Sequence, residues 1–287
     1  MPAWAAPARG PVPEPFTWLS VVLRVVGVPA MALLWWALAF LSWQRAGLPS
    51  MPESWPPALP VLFTDLEVTV FGPLGASLVV VVLLRRGRLS FLSVLLGFLV
   101  SALVTLTRGA DTYGGVLNTT ERQIMLGGCA VAAFAGLAIG AVATGSRQRF
   151  GFLGLLAVFP VVSLIEVLLV GPGADRSWLT RSALVVLLVM IAWRRWSGVL
   201  LWPIFFALFW LLTLVMSALG HGAQTLRHPM GSRASVGPLN DAMLGFVRST
   251  WRVFLGTSWD VFWPAAVIAV LVIAGLYVWR RTGQVST

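Results

Sequence analysis

The sequence predicts an all-α integral membrane protein whose chain crosses the lipid bilayer about eight times. Of its 287 residues, 58% are apolar and 10% are charged, whereas a soluble domain has about 45–50% apolar and about 25% charged residues. Its mean hydropathy is +0.88. Several separate apolar runs approach the roughly 20 residues that a helix needs to cross about 30 Å of hydrocarbon. Clusters of arginine recur between these runs, which indicates a regular membrane topology.

Eight apolar runs define the predicted transmembrane helices, which we call span 1 to span 8. They cover residues 17–43, 63–84, 89–106, 124–145, 152–171, 178–193, 199–219 and 262–279. Spans 1 to 7 therefore occupy residues 17–219. Residues 1–16, rich in Pro and Ala, are predicted to form a disordered N-terminal tail, and residues 280–287 form the C-terminal tail.

Arginine predicts the orientation, because positively charged residues accumulate on the cytoplasmic side of membrane proteins. Dense arginine follows every even-numbered span, and one further arginine lies in the N-terminal tail. That side holds ten arginines against one acid, and the opposite side holds nine against eight. We therefore expect a prokaryotic cytoplasmic membrane protein with both termini in the cytoplasm. The ten arginines are Arg9, Arg85, Arg86, Arg88, Arg147, Arg149, Arg194, Arg195, Arg280 and Arg281.

The longest connection, residues 220–261, is predicted to be extracytoplasmic and to contain an amphipathic helix at about residues 239–254. Its apolar and polar positions separate onto two faces at helical spacing. Such a helix lies flat in the membrane interface or caps the bundle. The apolar face consists of Leu239, Met243, Phe246, Val247 and Phe254, and the polar face of Asp241, Gly245, Arg248 and Arg252.

Three acidic residues are candidates for binding a substrate or an ion. Glu166 in span 5 has apolar residues on both sides, and a carboxylate in the membrane is costly and frequently functional. Asp65 and Glu67 open span 2, and they could line an outward-facing cavity together with Glu166. The structural alternatives are a hydrogen bond or salt bridge for Glu166 and stabilisation of the helix dipole for the other two.

Four basic residues are candidates for binding a lipid headgroup or a phosphate: Arg248, Arg252, Arg233 and His228. Guanidinium groups suit phosphate oxygens, and passive anchoring in the interface is the alternative. The spacing of His221 and His228 does not match a metal-binding motif. The single cysteine, Cys129, excludes a disulfide framework. No metal site and no cofactor are therefore predicted.

Three classes of function fit these features. The sequence favours a transport or export component with an outward-facing polar cavity, over a non-catalytic subunit of a membrane complex. An extracytoplasmic-facing enzyme that acts on a lipid-linked substrate is the third hypothesis, although no catalytic motif is present. The expected partners are the lipid bilayer and, for the second hypothesis, other membrane subunits. Nucleic acid is not expected, because the arginines are dispersed between apolar runs.

Overall fold

A computed structural model describes residues 25–41, 66–85, 87–112, 119–166, 168, 177–193, 196–225 and 236–283. Within these ranges every regular element is a helix, which confirms the all-α class. We label the helices α1 Gly27–Trp36, α2 Leu66–Leu84, α3 Gly87–Thr112, α4 Thr119–Ala143, α5 Arg147–Leu153, α6 Leu155–Ile165, α7 Ser177–Ala192, α8 Trp202–Thr225 and α9 Val236–Gly283. A π-helical turn, Ala37–Leu41, continues α1, and a 3₁₀ helix, Trp196–Leu201, precedes α8.

The predicted number of eight transmembrane helices is wrong for the part of the chain that the structure describes. Five helices are long and apolar enough to cross a membrane, and a sixth span results if the bent pair α5–α6 is counted as one. The described helix of span 1, Gly27–Leu41, and α7 in span 6 are too short. The 16 residues of α7 extend only about 24 Å at 1.5 Å per residue. Flanking arginines therefore mark the ends of a helix without ensuring that it spans the hydrocarbon.

The C-terminal helix also differs from its prediction. The amphipathic segment 239–254 and span 8 form one continuous helix, α9, of 48 residues, which is about 72 Å long. Residues 255–261 contain no proline, and the hydroxyl of Thr257 donates to the carbonyl of Val253 inside the helix. The helix continues through this stretch and past Pro264, so the interfacial segment and the span do not separate.

Helix α2 lies at the centre of the bundle, and 61% of its membrane-spanning window is buried. It packs most extensively against α4, and the two helices run parallel. Gly128 of α4 lies beside the methyl group of Thr69, and Gly140 lies 2.8 Å, measured from an added Cβ, from the Cβ of Val81. Between them, Gly136 contacts the carbonyl oxygen of Leu74. Gly136 and Gly140 form a GxxxG motif, which allows close approach of membrane helices.

Two further elements approach the other faces of α2. The carbonyl of Ala39, in the π-helical turn, contacts Gly72, and the indole N–H of Trp35 donates to the Ser77 hydroxyl at 2.9 Å. On α6, the ring of Pro160 lies 2.6 Å from a Cβ added at Gly75. These contacts leave no room for a side chain larger than hydrogen at either glycine.

The apolar core consists of two clusters, and α6 takes part in both. One cluster joins residues of α1, α2, α4 and the π-helical turn, together with Leu164 of α6. The other joins α7, α8 and α9 with Leu155, Val158 and Val162 of α6. A second link between the halves is formed by α2 and α8, which also pack together. We call the boundary between the two clusters the seam.

The ends of α2 define the two ends of the bundle. Glu67 lies in its first turn, and Arg85 follows its last residue in a left-handed conformation with φ of 50°. A non-glycine residue in that conformation costs roughly 1–2 kcal/mol. The 18 residues between them correspond to about 27 Å, close to the thickness of the hydrocarbon layer. We call the end with Glu67 the carboxylate end and the end with Arg85 the arginine end.

We expect Gly136→Leu to destabilise the fold, because the new side chain would meet the backbone of α2 at Leu74. Overpacking of this kind costs about 1–3 kcal/mol. Gly127→Leu on the same helix is the matched control, because a Cβ at Gly127 meets open space. Thermal unfolding of the purified variants in detergent measures the difference. Equal melting temperatures for the two variants would contradict the close α2–α4 packing.

Candidate functional site

The carboxylate of Glu67 lies against the backbone of α8. A Cβ added at Gly220 would be 2.9 Å from Glu67 Oε1 and 3.1 Å from Oε2. The acid therefore occupies the space that any larger residue at position 220 would need. Gly220 has no side chain, so it leaves room for the Glu67 carboxylate between α2 and α8. This contact lies on the seam.

Glu166 is buried at the end of α6, where only 5% of its surface is exposed. It caps the C-terminus of that helix, and residues 166 and 168 have π-helical geometry. Single π-helical turns are frequent at functional sites in other proteins. Because α6 contributes to both apolar clusters, Glu166 also lies at the seam.

The helix registers place the two carboxylates at a similar depth. Gly75 of α2 contacts Leu156, Ala157 and Pro160 of α6, and from there α6 continues towards the π-helical turn of α1, with which it also packs. Glu67 lies eight residues before Gly75, which is about 12 Å along the helix. Glu166 lies six to ten residues beyond the contact, which is about 9–15 Å. Both acids therefore reach the carboxylate end of the seam.

Two basic side chains occupy the same end of the bundle. His221 of α8 stacks on the ring of Phe246 of α9, with centroids 4.6 Å apart. Arg181 of α7 is half-buried, and its Nε atom is buried without a hydrogen-bond partner among the described residues. Arg181 is one of the nine arginines that the sequence predicts on the extracytoplasmic side, and it lies in the second turn of α7. The sequence signal for this placement is that residue 181 follows the predicted start of span 6 at residue 178.

The other predicted site residues are distributed differently. Asp65, His228 and Arg233 lie outside the described residues. Arg248 and Arg252 are exposed on α9, and the Arg252 guanidinium carbon lies 5.2 Å from the centroid of the neighbouring Trp251 ring. Their contact with a headgroup stays a prediction. The structure therefore places Glu67 and Glu166 along one seam and the α9 arginines on an outward face.

The chain matches no protein-family model, no curated protein and no solved structure. Within the described ranges, no three side chains of the metal-binding types His, Cys, Asp and Glu come together. Two carboxylates at the edge of a low-dielectric layer can each exchange a proton or attract a cation.

Asp260 is an acid whose position was not singled out from the sequence. It is exposed on α9, next to Trp259, whose ring lies 5.4 Å from that of Phe206 on α8. Phe206 is 14 residues, or about 21 Å, from the Gly220 level. Asp260 therefore lies between the two ends of α2, about 6 Å from the level of the arginine end.

The contact between Glu67 and Gly220 can be tested with a double-mutant cycle. We expect Gly220→Val to destabilise the protein, because its side chain would displace the Glu67 carboxylate. The penalty should shrink in a Glu67→Ala background, where the space is free. Contacting residues typically show coupling energies of about 0.5–3 kcal/mol. Thermal unfolding in detergent measures all four proteins.

Gly256→Val is the matched control, because a Cβ at Gly256 meets open space. Its effect should be the same with Glu67 or with Ala at position 67. Strictly additive effects of Gly220→Val and Glu67→Ala would contradict the contact.

Proposed function

We propose that this protein is a membrane transport component, and that Glu67 and Glu166 form its substrate or ion site. The observation that carries the proposal is that both carboxylates lie at a similar depth towards one end of the seam, Glu67 on α2 against α8 and Glu166 on α6. A structural role for a single acid would not require two of them at similar depth on different helices. Asp65, two residues before Glu67, belongs to the same proposed site.

The chemistry of the proposed site follows from the cost of a buried carboxylate. A charged group loses much of its hydration when it leaves water, so it is stable only with a partner or after it takes up a proton. A cation that approaches Glu67 and Glu166 is attracted by both carboxylates. The site therefore favours a metal cation, a proton or the cationic group of a substrate over an anion.

The construction of the seam supports movement of one half of the bundle against the other. The axes of α5 and α6 differ by 65° across a break at Gly154. Transporters frequently use broken helices near their binding sites and rock one bundle against another. Here the broken span carries Glu166 and joins both clusters, so a change at the acid is coupled to the packing of both halves.

The predicted orientation completes the proposal. With Arg85, Arg88, Arg147 and Arg149 at the cytoplasmic surface, the carboxylate end faces outwards in a prokaryotic cytoplasmic membrane. The site would then receive its substrate or ion from the extracytoplasmic side.

We expect the purified protein in liposomes to accelerate the movement of protons or Na⁺ under an imposed K⁺ diffusion potential. Glu67→Gln and Glu166→Gln should each slow this movement about tenfold or more, because a charged contact contributes about 1.5–3 kcal/mol. An entrapped pH-sensitive dye reports protons, and radioactive Na⁺ reports the cation.

Asp241→Asn is the matched control, because this acid is exposed on α9 and its substitution removes the same charge. Its flux should equal that of the unmodified protein. Full flux in both glutamate variants would overturn the site. If the unmodified protein moved neither ion faster than empty liposomes, the proposal for ion transport would fail.

A role as a subunit of a larger membrane complex is the second candidate, and Asp260 favours it. An exposed acid between the two ends of the bundle costs more against lipid than against water, and a helix from another protein would cover it. In that case the single purified chain would show no flux, and flux would appear only with the partner present. The liposome experiment therefore distinguishes the two candidates.

The orientation can be tested by cysteine labelling of intact cells. The native Cys129 is fully buried, so it contributes little background. Asn240→Cys places a thiol at the carboxylate end, and Gln148→Cys places one at the arginine end; both positions are exposed. A membrane-impermeant maleimide should label only Asn240→Cys. Labelling of Gln148→Cys alone would reverse the proposed orientation.

A further inference from the structure

A cavity lies at the arginine end, about 27 Å from the carboxylate site. Its volume is about 340 Å³. Three separate parts of the chain line it: the end of α2, the connection from α4 into α5, and the end of α7. Its polar lining consists of Arg85, Thr144, Ser146 and Arg147, with Trp193 beside them. We call it the arginine cavity.

The positive charge of this cavity has no counterpart in its lining, which contains no acid. All acidic side chains that the structure describes, namely Glu67, Glu166, Asp241 and Asp260, lie on other parts of the bundle. Arg85 and Arg147 therefore face a shared space without a neutralising carboxylate from that lining. Two guanidinium groups in one cavity favour an anion with several oxygens, of which phosphate is the most common.

Arg147 is held in a geometry that suits such an anion. Its guanidinium carbon lies 4.8 Å from the centroid of the Trp193 ring, so one face of the guanidinium is occupied by the indole. Stacking of this type leaves the N–H groups at the edge available to donate hydrogen bonds to the oxygens of a ligand. Trp193 therefore restricts the Arg147 side chain before a ligand binds, so less conformational entropy is lost on binding.

The two hydroxyl groups add further polar capacity. The Ser146 oxygen accepts a hydrogen bond from the backbone N–H of Arg149 at 3.1 Å, so its own hydrogen is free to donate into the cavity. The Thr144 hydroxyl donates to the carbonyl of Ala141 at 2.8 Å, so only the lone pairs of the hydroxyl oxygen remain available to a ligand. Only Ser146 therefore adds a donor for an anion, alongside the two arginines.

Arg85 gives an independent indication that a side chain is required there. It has a φ of 50°, a conformation that glycine adopts without strain and arginine does not. Gly87 follows only two residues later, but the left-handed position itself carries arginine. An unfavourable backbone conformation is tolerated most readily where the side chain has a role.

We infer that the arginine cavity binds the phosphate group of an anionic ligand through Arg85, Arg147 and Ser146. The rest of the lining, which includes Val82, Phe150 and Met190, is apolar and suits the glycerol and upper acyl chain of a phospholipid. Basic pockets between membrane helices are known to bind the headgroups of anionic lipids. A free phosphate shares the same chemistry, and the experiment separates the two sources.

The test uses the full-length protein in detergent, with bound ligand counted by native mass spectrometry. We expect saturable binding of phosphatidylglycerol and much weaker binding of phosphatidylcholine, whose choline group would bring a cation against two arginines. Arg147→Gln and Arg85→Gln should each weaken phosphatidylglycerol binding about tenfold or more, as loss of a charge-assisted contact predicts. Arg147→Lys should bind better than Arg147→Gln, because it keeps the charge and loses the stacked, forked geometry.

Arg149→Gln and Arg88→Gln are the matched controls, because these arginines are exposed at the same end, as Arg85 and Arg147 are, but neither lines the cavity. Each should change binding less than about twofold, since a charge outside the cavity acts on the ligand only across solvent, where salt screens it. Equal losses in the cavity and control variants would overturn the inference, and so would the absence of saturable binding to the unmodified protein.

A second measurement identifies the source of the phosphate. If inorganic phosphate alone competes with phosphatidylglycerol at millimolar concentration, the cavity accepts a free phosphate. If it does not compete while phosphatidylglycerol saturates, the ligand is a lipid headgroup. Should Arg147→Gln fail to fold, the comparison of Arg85→Gln with Arg88→Gln tests the same inference.

Discussion

Close backbone contact around α2 is the constraint on which the rest of the structure depends. In lipid, helices gain little by burying apolar side chains against one another, because the acyl chains are equally apolar. Packing must therefore come from van der Waals contact and from a few polar links. Glycines at 72, 75 and 136 bring the backbones of three neighbouring elements onto α2. The hydrogen bond from Trp35 to Ser77 adds a buried polar link on the same helix.

The same constraint determines where the acids lie. At its carboxylate end, α2 approaches α8 closely enough for the Glu67 carboxylate to rest on Gly220. On the neighbouring face, α6 is held at Gly75 and delivers Glu166 to a similar depth. The arginines are separated from these acids by the length of α2, about 27 Å, so the attraction between one pair of charges is only about 0.6 kcal/mol at an effective dielectric constant of about 20. Each end therefore has its own chemistry.

Much of the helical framework could be predicted from the sequence, because apolar runs and arginine clusters report local preferences. The positions of spans 2, 3 and 4 agree with α2, α3 and α4 within several residues. The choice of neighbours could not be predicted in the same way, since it depends on pairs of residues that are distant in the chain. A usable signal was present in Gly136 and Gly140, whose spacing marks a close helix contact.

The site was only partly accessible from the sequence, for a related reason. Hydropathy identified Glu166 as costly, but Gly220 does not differ in hydropathy from its neighbours in a way that marks a site. Charge counting assigned the arginines to one side of the membrane without showing that Arg85 and Arg147 share a cavity. That convergence depends on three connections meeting at one point, which no local pattern records.

Helix α9 shows how a long helix accommodates conflicting requirements. Its buried positions follow a single narrow stripe, which comprises Ser258, Phe262, Ala265, Ala269 and Ile273. The remaining faces are exposed, and at about 72 Å the helix is far longer than the hydrocarbon layer is thick. Continuity keeps most backbone groups of its interior hydrogen-bonded, which an interruption inside lipid would not. The exception is at Pro264, which has no N–H to donate to the carbonyl of Asp260. The exposed Asp260 side chain lies at the same level, so this level of α9 carries both an acid and a weakened point in the backbone hydrogen bonding.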